Sequence, residues 1–412
     1  DHWQAGIEWM ESYGVDVVSS SLGYNTFDPP DSGYTWAHGD FNGRTSITAR
    51  AAARAARLGV VVCDAMGNEG NGNGTIGTML APADADSIIS VGAVSFAKQL
   101  AYFSSTGPTN DGRTKPDVVS PGVSVYCAST GGPGSYFYIQ GTSLATPLVA
   151  GSAALLLSAR PELTPVQVRD ALRNTAEPII DMLKYPTSPN NYTGWGLINA
   201  FKAALSFGPI FSNRPLLSVV DSVSIVGMNV ISKFGIDSTK VILHYSIGST
   251  GLYDSLPMAL DSSMFFPTSG RYIAALPRTP AGTLVTYYVS ASDSASHSYQ
   301  SPAPVSGKTW QLYYGSLGGH PSVYALLQNY PNPFNPSTSI TYDLLTKEHV
   351  TIKVYNVLGE LVATPVDEVQ EAGTATSRPP AIFDGTSLPS GVYFYRIITP
   401  SFLATKKMML IR

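Results

Sequence analysis

The chain has 412 residues, which at about 150 residues per domain suggests two to four domains. Its formal net charge is −4 and only 13% of its residues are charged, against a usual share of about 25%. This composition excludes a basic face for nucleic acid or an anionic membrane, and it argues against a coiled coil or a charged tail. The 44% of hydrophobic residues can fill real cores, but the apolar stretches, such as residues 153–157, are too short for a transmembrane segment, which takes about 20 residues.

Residues 1–208 alternate short apolar strands with helices. The pattern predicts buried strands at residues 15–18, 59–63, 87–94 and 123–127. It predicts a helix over residues 46–58 that stops at Gly59, and a helix with a capping box and Pro165 at its first position that begins after Thr164. Strands alternating with helices predict an α/β domain whose parallel sheet is covered on both faces.

The period changes to two after residue 208. Over residues 209–315, Val285, Tyr287, Val289 and Ala291 fall on one face of a strand, and residues 241–245 and 271–275 follow the same pattern. Short strands between Gly, Pro, Ser and Asp turns predict an all-β sandwich. Tyr287 and Tyr288 are expected to pack within the sheet rather than to form a binding platform.

A third segment, residues 326–412, also predicts an all-β sandwich module. Its opening run, residues 329–336 (NYPNPFNP), contains three prolines, which exclude a central strand there. Strands are expected at residues 339–344, 350–356, 391–398 and 408–411.

The chain has two cysteines, Cys63 and Cys127. Cys63 ends an apolar run, so a buried and inert thiol is the favoured interpretation. A disulfide between the two stays an alternative, because the sequence gives no distance between them.

Residues 141–147 (GTSLATP) place Ser143 at the start of a helix. Thr142 is expected to cap that helix with its side-chain oxygen, and Pro147 is expected in the first turn, where its missing N–H has no partner. Backbone N–H groups and the helix dipole favour a developing negative charge at this position. A Gly-Thr-Ser run is usually only a cap, so this motif alone is weak evidence for a nucleophile.

A second motif, residues 66–70 (MGNEG), follows a predicted buried strand. The Asn68 side-chain amide could donate a hydrogen bond to an oxyanion, a contact worth about 3–4 kcal/mol of barrier in such sites. The alternative is a plain turn rich in Asn and Gly, and residues 71–74 favour that interpretation for the positions beyond.

Five blocks together, in this order, resemble the subtilisin-like serine proteases. They are residues 21–23 (SLG), 67–70 (GNEG), 103–123, 141–147 (GTSLATP) and 194–200 (GWGLINA). The resemblance implies a serine-type endopeptidase with Ser143 as nucleophile, and with the Asn68 side chain and the Ser143 backbone N–H as oxyanion donors. It also implies two walls of a specificity pocket, formed by Ser21, Leu22 and Gly23 on one side and by Ala65, Met66 and Gly67 on the other. The small Ala65 and Gly67 favour an open apolar pocket. Many members carry His where this chain has Leu148, a helix packing position outside the catalytic triad.

The acid and base of the triad are not found in this chain. The family's order is Asp, His, Ser, and its His precedes the oxyanion Asn by about 90 residues, which here falls before residue 1. His2 is too close to Asn68 in sequence, His38 lies in a loop, and His244, His297, His320 and His349 lie in or beside the β modules. The chain begins at Asp1 without a signal-peptide pattern, so we expect a processed product or fragment that is inactive alone.

The two β modules also resemble known families. Residues 209–315 are similar to the immunoglobulin- or fibronectin-like modules of secreted hydrolases, where a spacer role is favoured. Residues 326–412 resemble the sorting domain of the type IX (Por) secretion system, through residues 329–336, 354–359 (VYNVLG) and 384–393 (DGTSLPSGVY) and the basic Lys406, Lys407 and Arg412. Phe383 replaces the Trp common before the Asp-Gly pair. The resemblance implies secretion across an outer membrane through that machinery, and the alternative is an ordinary adhesive module.

Two other functions compete with the secreted endopeptidase. A non-catalytic surface binding protein, or pseudoprotease, would explain the absent acid and base. An esterase of the α/β-hydrolase kind would need Gly-x-Ser-x-Gly with Asp and His downstream, but Ala145 stands at the second Gly and the downstream histidines lie in the β modules. The peptidase chemistry acts on protein or peptide substrates and needs no cofactor. A structural calcium ion stays an alternative that no sequence pattern supports.

Overall fold

The computed structural model describes residues 2–26, 36–73, 76–132, 134–212, 215–220, 223–248, 251–263, 269–280, 283–314, 324–373 and 379–411. It divides into two units, one made mainly of residues up to Ile210 and one made mainly of residues from Phe211 onward. Arg412, one of the basic residues that support the resemblance to a sorting domain, lies outside the described residues.

The first unit is built on a four-stranded parallel sheet in the order β1-β2-β3-β4. Its strands are β1 (Val17–Ser20), β2 (Val61–Ala65), β3 (Ile89–Val94) and β4 (Val118–Pro121). Its helices are α1 (His2–Ser12), α2 (Ile47–Arg57), α3 (Thr142–Ala159), α4 (Pro165–Asn174) and α5 (Ala200–Leu205). Strands β2 and β3 are buried along their whole length, as expected for a parallel sheet covered on both faces.

Alternate residues of β2 enter two separate cores. Val62 of β2 and Val60, directly before the strand, pack with Ile7 of α1 and with four alanines of α2. Val61 and Cys63 pack on the other side, against Val149 and its neighbours on α3. The sheet therefore holds α3, which carries Ser143, on a rigid support.

The local helix signals were predicted correctly. Ser46 caps α2 through a hydrogen bond from the Ala49 N–H, and Gly59 after its end has a φ of 107°. Thr164 and Gln167 form the expected capping box at the start of α4. Both signals are local in sequence, which is why they could be read without knowledge of the fold.

The buried strand expected at residues 123–127 was wrong. The strand there is β5 (Val125–Ala128), which pairs with β6 (Tyr136–Ile139) in an antiparallel hairpin with largely exposed side chains. The fourth parallel strand is β4 instead. Cys127, on β5, and Cys63, on β2, are both free thiols, and Cys63 is fully buried.

Helix α3 is apolar and, with 18 residues, long enough to cross a membrane by length and composition alone. Its inner face, which includes Ala145, Val149 and Ala153, packs in the main core of the first unit. Core helices of soluble domains pass the same test, so this feature is weak evidence for a membrane span.

Residues 210–314 form two β-sheets around a shared core. The strands are β7 (Ile210–Phe211), β8 (Leu216–Val220), β9 (Val223–Ile231), β10 (Ile236–Ile247), β11 (Asp254–Pro257), β12 (Ala259–Ser263), β13 (Ser269–Ala275), β14 (Leu284–Asp293), β15 (Ser298–Ser301) and β16 (Trp310–Tyr313). One sheet has the order β11-β10-β14-β15 with β16 on β14, and the other has β12-β13-β9-β7 with β8 on β9. The expected buried face of β14 is confirmed, because Val285, Tyr287, Val289 and Ala291 are all at most 1% exposed. Tyr288 stacks on His244 within the same sheet.

Residues 324–411 form a further β module with its own core, which includes Ile352, Phe383 and Tyr395. The strands are β17 (Ala325–Leu326), β18 (Ser337–Ile340), β19 (Tyr342–Asp343), β20 (Glu348–Tyr355), β21 (Leu361–Gln370), β22 (Ala381–Asp384), β23 (Gly391–Ile398) and β24 (Leu403–Leu410). The main sheet is antiparallel, in the order β21-β20-β23-β24. Strand β23 has the expected bounds, whereas β21 was not predicted.

Candidate active site

Helix α3 begins one residue earlier than expected, so Thr142 is not its cap. Gly141 precedes the helix with φ 153° and ψ 156° and makes no side-chain cap. The Thr142 hydroxyl points away from the helix and lies 3.2 Å from the Gly67 carbonyl oxygen and 3.1 Å from Asn68 Oδ1. The Thr142 side chain therefore does not cap α3. It links the turn of residues 141–143, called the nucleophile turn after the predicted role of Ser143, to the turn of Gly67 and Asn68.

Pro147 lies in the second turn of α3 and not in the first, because the helix starts at Thr142. A residue with an N–H at this position would bond to the carbonyl of Ser143, four residues earlier, and proline cannot. That carbonyl instead accepts a hydrogen bond of 3.1 Å from the Ser21 hydroxyl. Because Pro147 has no N–H, the Ser143 carbonyl remains available to the Ser21 hydroxyl, and this hydrogen bond joins Ser21 to the nucleophile turn.

The Asn68 amide is oriented by the backbone of Thr142. Its Oδ1 accepts the Thr142 N–H at 3.0 Å, and because an N–H must face an acceptor, the amide nitrogen Nδ2 takes the other side. A Cβ built on Gly141 would lie 3.6 Å from Nδ2 and 3.7 Å from the backbone nitrogen of Ser143. Two N–H donors therefore border one small space in front of Gly141, as an oxyanion site requires.

The loop that carries Asn68 is clamped by the segment that follows β3. Ser105 donates its N–H to the Gly67 carbonyl at 3.0 Å and accepts the Glu69 N–H on its hydroxyl at the same distance. The Asn71 amide donates to the carbonyls of Ala101 and Ser104. The turn rich in Asn and Gly is therefore a fixed structure that positions Asn68.

Each of the two expected pocket walls is hydrogen-bonded to the start of α3, through the Ser21 hydroxyl on one wall and the Gly67 carbonyl on the other. The residues of the first wall, Ser21, Leu22 and Gly23, follow β1 and are exposed, whereas Ala65 ends β2 and is buried, as are Met66 and Gly67 directly after it. The Met66 side chain packs away from the walls, in a small cluster with Phe41 and Met79. If this segment forms a pocket wall as expected, Met66 lends it its backbone and not its side chain.

Comparisons with known proteins agree with this geometry. Residues 2–196 match the family model described as "Subtilase family", and residues 328–411 match the one described as "Secretion system C-terminal sorting domain". Residues 2–196 are a subtilase domain. Its parallel sheet flanked by helices is subtilisin-like, with β-sheet modules following.

Individual relatives cover part of the chain. Subtilisin of Bacillus pumilus is 40% identical over 199 residues, which are 48% of this chain and 60% of that protein. Serine protease AprX of Bacillus subtilis is 33% identical over 223 residues, with shares of 47% and 46%. The chain thus spans less than two thirds of the length of these relatives. Among solved structures, the self-cleaved protease domain of PatA aligns with 49% of this chain and 66% of its own, at 25% identity and a TM-score of 0.36.

A buried ion network that the sequence analysis did not foresee lies within the subtilase domain. Asp117, at the start of β4, accepts hydrogen bonds from Lys115 Nζ at 3.0 Å and from the Ser90 N–H and hydroxyl of β3, and it pairs with Arg173 of α4. Burial alone would raise the pKa of Asp117, but the charges of Lys115 and Arg173 and the Ser90 bonds hold that pKa well below its usual range. The network joins β3, the segment that leads into β4, and α4.

A second buried carboxyl, Asp64, has a pKa that is shifted in the opposite direction to that of Asp117. It lies on β2 opposite Ser20 of β1, and within the described part of the chain neither of its oxygens has a hydrogen bond of normal geometry. Burial, with a smaller contribution from Asp84, raises the pKa of Asp64 well above its usual range, which favours the protonated form. A single acidic residue inside the apolar run of β2 was the signal that could have identified it.

None of the described histidines forms a hydrogen bond with Ser143 or Asn68. His2 lies in α1 and His38 in a short 3-10 turn (His38–Asp40), while His244 and His297 bond to residues of the β-sandwich and His349 lies in β20. His320 lies outside the described residues. No cluster of three or more His, Cys, Asp or Glu side chains that could hold a metal ion occurs in the described ranges.

The sorting domain gives the destination of the protein. A C-terminal domain of this kind directs type IX secretion to the cell surface or the extracellular space. Its opening run is tied to the core of the module, because the Tyr395 hydroxyl accepts the Asn329 N–H at 2.8 Å and donates to the Leu327 carbonyl at 2.7 Å.

Proposed function

We propose that the protein is a secreted serine endopeptidase that hydrolyses peptide bonds through an acyl-enzyme on Ser143. The observation that carries this proposal is the pair of donors, Asn68 Nδ2 and the Ser143 N–H, that border one space at the start of α3. The half-buried Ser143 stands beside that space, and Ser21 bonds to its carbonyl. The match of residues 2–196 to the Subtilase family supports the same chemistry.

The mechanism follows from these positions. Ser143 Oγ attacks the substrate carbonyl carbon while a histidine takes its proton, and the resulting oxyanion accepts hydrogen bonds from Asn68 Nδ2 and the Ser143 N–H. The histidine then gives the proton to the leaving amine as the peptide bond breaks. Water, deprotonated by the same histidine, hydrolyses the ester and restores Ser143.

The histidine and the aspartate that orients it are proposed to lie upstream of residue 1 in the full-length protein. None of the described histidines takes part in the hydrogen bonds around Ser143. Without an imidazole base a serine hydroxyl is a poor nucleophile at neutral pH. The 412-residue chain alone is therefore expected to be inactive or very slow.

Labelling with a serine-reactive fluorophosphonate tests the proposal. The full-length protein should be labelled at Ser143 and should cleave peptides, and the Ser143→Ala variant should do neither. Ser152→Ala is the matched control, because Ser152 lies on the same helix and its hydroxyl bonds only to the helix carbonyl of Leu148. An unlabelled full-length protein would favour a non-catalytic binding protein, and labelling of the 412-residue chain at the full-length rate would refute the upstream base.

The proposed partners follow from the two assigned domains. Protein or peptide substrates would bind at the Ser143 site, and the type IX secretion machinery would bind the C-terminal module of residues 326–412. The match of residues 328–411 supports the second partner.

A further inference from the structure

We propose that the side chain of Leu80 fills the specificity pocket and restricts the acyl-side residue of the substrate, the one whose carbonyl is attacked, to a small side chain. The inference rests on the proposed peptidase function, since it concerns the specificity of that same site.

Leu80 lies in contact with both walls of the pocket at their glycines. A Cβ built on Gly23 would lie 2.7 Å from both Cβ and Cδ1 of Leu80, and one built on Gly67 would lie 2.8 Å from its Cγ. Such distances are shorter than any real contact, so the leucine side chain already occupies the space that faces the α-carbons of the two glycines. The gap between the walls is thus filled by this chain's own side chain.

Backbone hydrogen bonds to both walls fix Leu80 in this place. Its N–H donates to the Met66 carbonyl at 3.0 Å, on one wall. The next residue, Ala81, exchanges two hydrogen bonds with Tyr24, directly after the other wall, at 2.8 and 3.1 Å. The segment therefore crosses from wall to wall as a floor strand, and these bonds fix the backbone of Leu80, from which its side chain projects.

The buried residues beneath this floor leave no room for the Leu80 side chain to move inward. Met79 and Ala81, its chain neighbours, are at most 1% exposed and pack with Met66, Ala83 and Phe41 in one cluster. Interiors of this kind are packed as densely as organic crystals, so a displaced leucine would clash. Leu80 itself stays half-buried, with part of its surface turned toward solvent.

The chemistry of the substrate follows from this geometry. Alanine, glycine or serine needs little space beyond its Cβ and fits above Leu80, whereas phenylalanine or leucine would have to enter the space that Leu80 holds. The expectation of an open apolar pocket, which came from the small Ala65 and Gly67, took no account of a residue 13 positions beyond Gly67. Changes of a single methylene in such pockets already alter kcat/KM by about tenfold or more.

Hydrolysis of peptide p-nitroanilides that differ only in the acyl-side residue tests the proposal on the full-length protein. The wild type should prefer alanine over phenylalanine by at least about tenfold in kcat/KM. Leu80→Gly should shift the phenylalanine-to-alanine ratio upward by at least about tenfold, and Leu80→Ala should shift it in the same direction if the glycine variant fails to fold. A wild type that cleaves after phenylalanine as well as after alanine, or an unchanged ratio in folded Leu80 variants, would overturn the proposal.

The control variant is Leu163→Ala, which removes the same atoms from a half-buried leucine packed against the main core. Leu163 lies beyond the far end of α3, about 25 Å of helix away from Ser143, so the ratio should not change. A second measurement separates this proposal from the peptidase function: calorimetric binding of peptides ending in alanine or phenylalanine to the Ser143→Ala variant. If the variant prefers the alanine peptide but the wild type hydrolyses neither peptide, the proposed peptidase function is refuted and the proposed role of Leu80 stands. If the two peptides bind equally, the role of Leu80 is refuted.

Discussion

At the scale of single residues, Gly141 shows why the site needs a glycine beside the nucleophile. Its φ of 153° and ψ of 156° lie in a region that other residues avoid. A Cβ at this position would also lie 3.6 Å from Asn68 Nδ2 and 3.7 Å from the Ser143 nitrogen, the two proposed oxyanion donors. The backbone conformation and the open space thus depend on the same absent side chain.

Gly141→Ala is therefore expected to damage both stability and catalysis. The strained backbone should cost about 1–3 kcal/mol of unfolding free energy, and a methyl group over the donors should lower kcat of the full-length protein by about tenfold or more. Thermal unfolding and steady-state kinetics measure the two effects. Gly151→Ala is the control, because a Cβ at Gly151 meets nothing within 4 Å and alanine within α3 should stabilise by about 0.5–1 kcal/mol. A Gly141→Ala variant with normal kcat would contradict the placement of the oxyanion.

At the scale of helices and strands, features that depend on nearby residues could be predicted from the sequence, whereas features that depend on tertiary contacts could not. The capping box of Thr164 and Gln167 joins residues three positions apart and was predicted correctly, as was the end of α2 before Gly59. The apolar run at residues 123–127 was assigned to the core, but its strand pairs with β6 in an exposed hairpin. Nothing in a short apolar run distinguishes these outcomes, because pairing with a distant segment decides the burial.

The same division holds within the candidate site. The sequence motifs predicted roles for Ser143 and Asn68, and the structure brings the turns of these two residues together through Thr142. The role of Leu80 depends on Gly23 and Gly67, which are far apart in the chain and meet only in the folded domain. Motif spacing was enough to predict a site at Ser143 and Asn68, but it could not place Leu80 between Gly23 and Gly67.

Asp117 is expected to be a major support of the sheet. Asp117→Asn would leave Lys115 and Arg173 without their buried counter-charge and should cost about 3–5 kcal/mol of unfolding free energy. Because its folded pKa is depressed, its contribution is fully present above the unfolded value of about 3.9 and is lost as pH falls below it. Chemical denaturation at pH 7 and pH 3 measures this. Asp111→Asn, which removes an exposed pair with Arg113, should cost at most about 1 kcal/mol, and equal losses would contradict the network.

Asp64 is expected to show the opposite dependence on pH. Its folded pKa is raised, so its contribution to stability is present below the unfolded value of about 3.9 and is lost as pH rises toward the folded value. Asp64→Asn keeps the shape and removes the ionisation, so it should stabilise the domain more at pH 8 than at pH 4. Denaturation midpoints of both proteins across this range test the idea, and a difference that does not grow with pH would show that Asp64 ionises freely in the folded state.

At the scale of the whole molecule, each predicted module has its own hydrophobic core. The subtilase domain packs around its parallel sheet, residues 226–314 pack around Val289 and its neighbours, and residues 326–410 pack around Ile352 and Tyr395. A module with its own core can in principle fold independently. The catalytic site and the secretion signal can therefore lie in different parts of the chain.

The sorting module should accordingly carry export by itself. We expect deletion of residues 326–412 to leave the protein inside the outer membrane of the producing cell, and fusion of these residues to a periplasmic reporter to bring the reporter into the medium or onto the surface. Tyr395→Ala in the fusion is the matched control, because it removes a buried ring and both of the hydrogen bonds that hold the opening run at Leu327 and Asn329. A loss of about 3–5 kcal/mol is typical for such a truncation, enough to unfold a small module and block export. Fractionation followed by immunoblotting measures the distribution. Export of the deleted protein would refute a sorting role, and export of both fusions alike would show that the folded module is not what the machinery recognises.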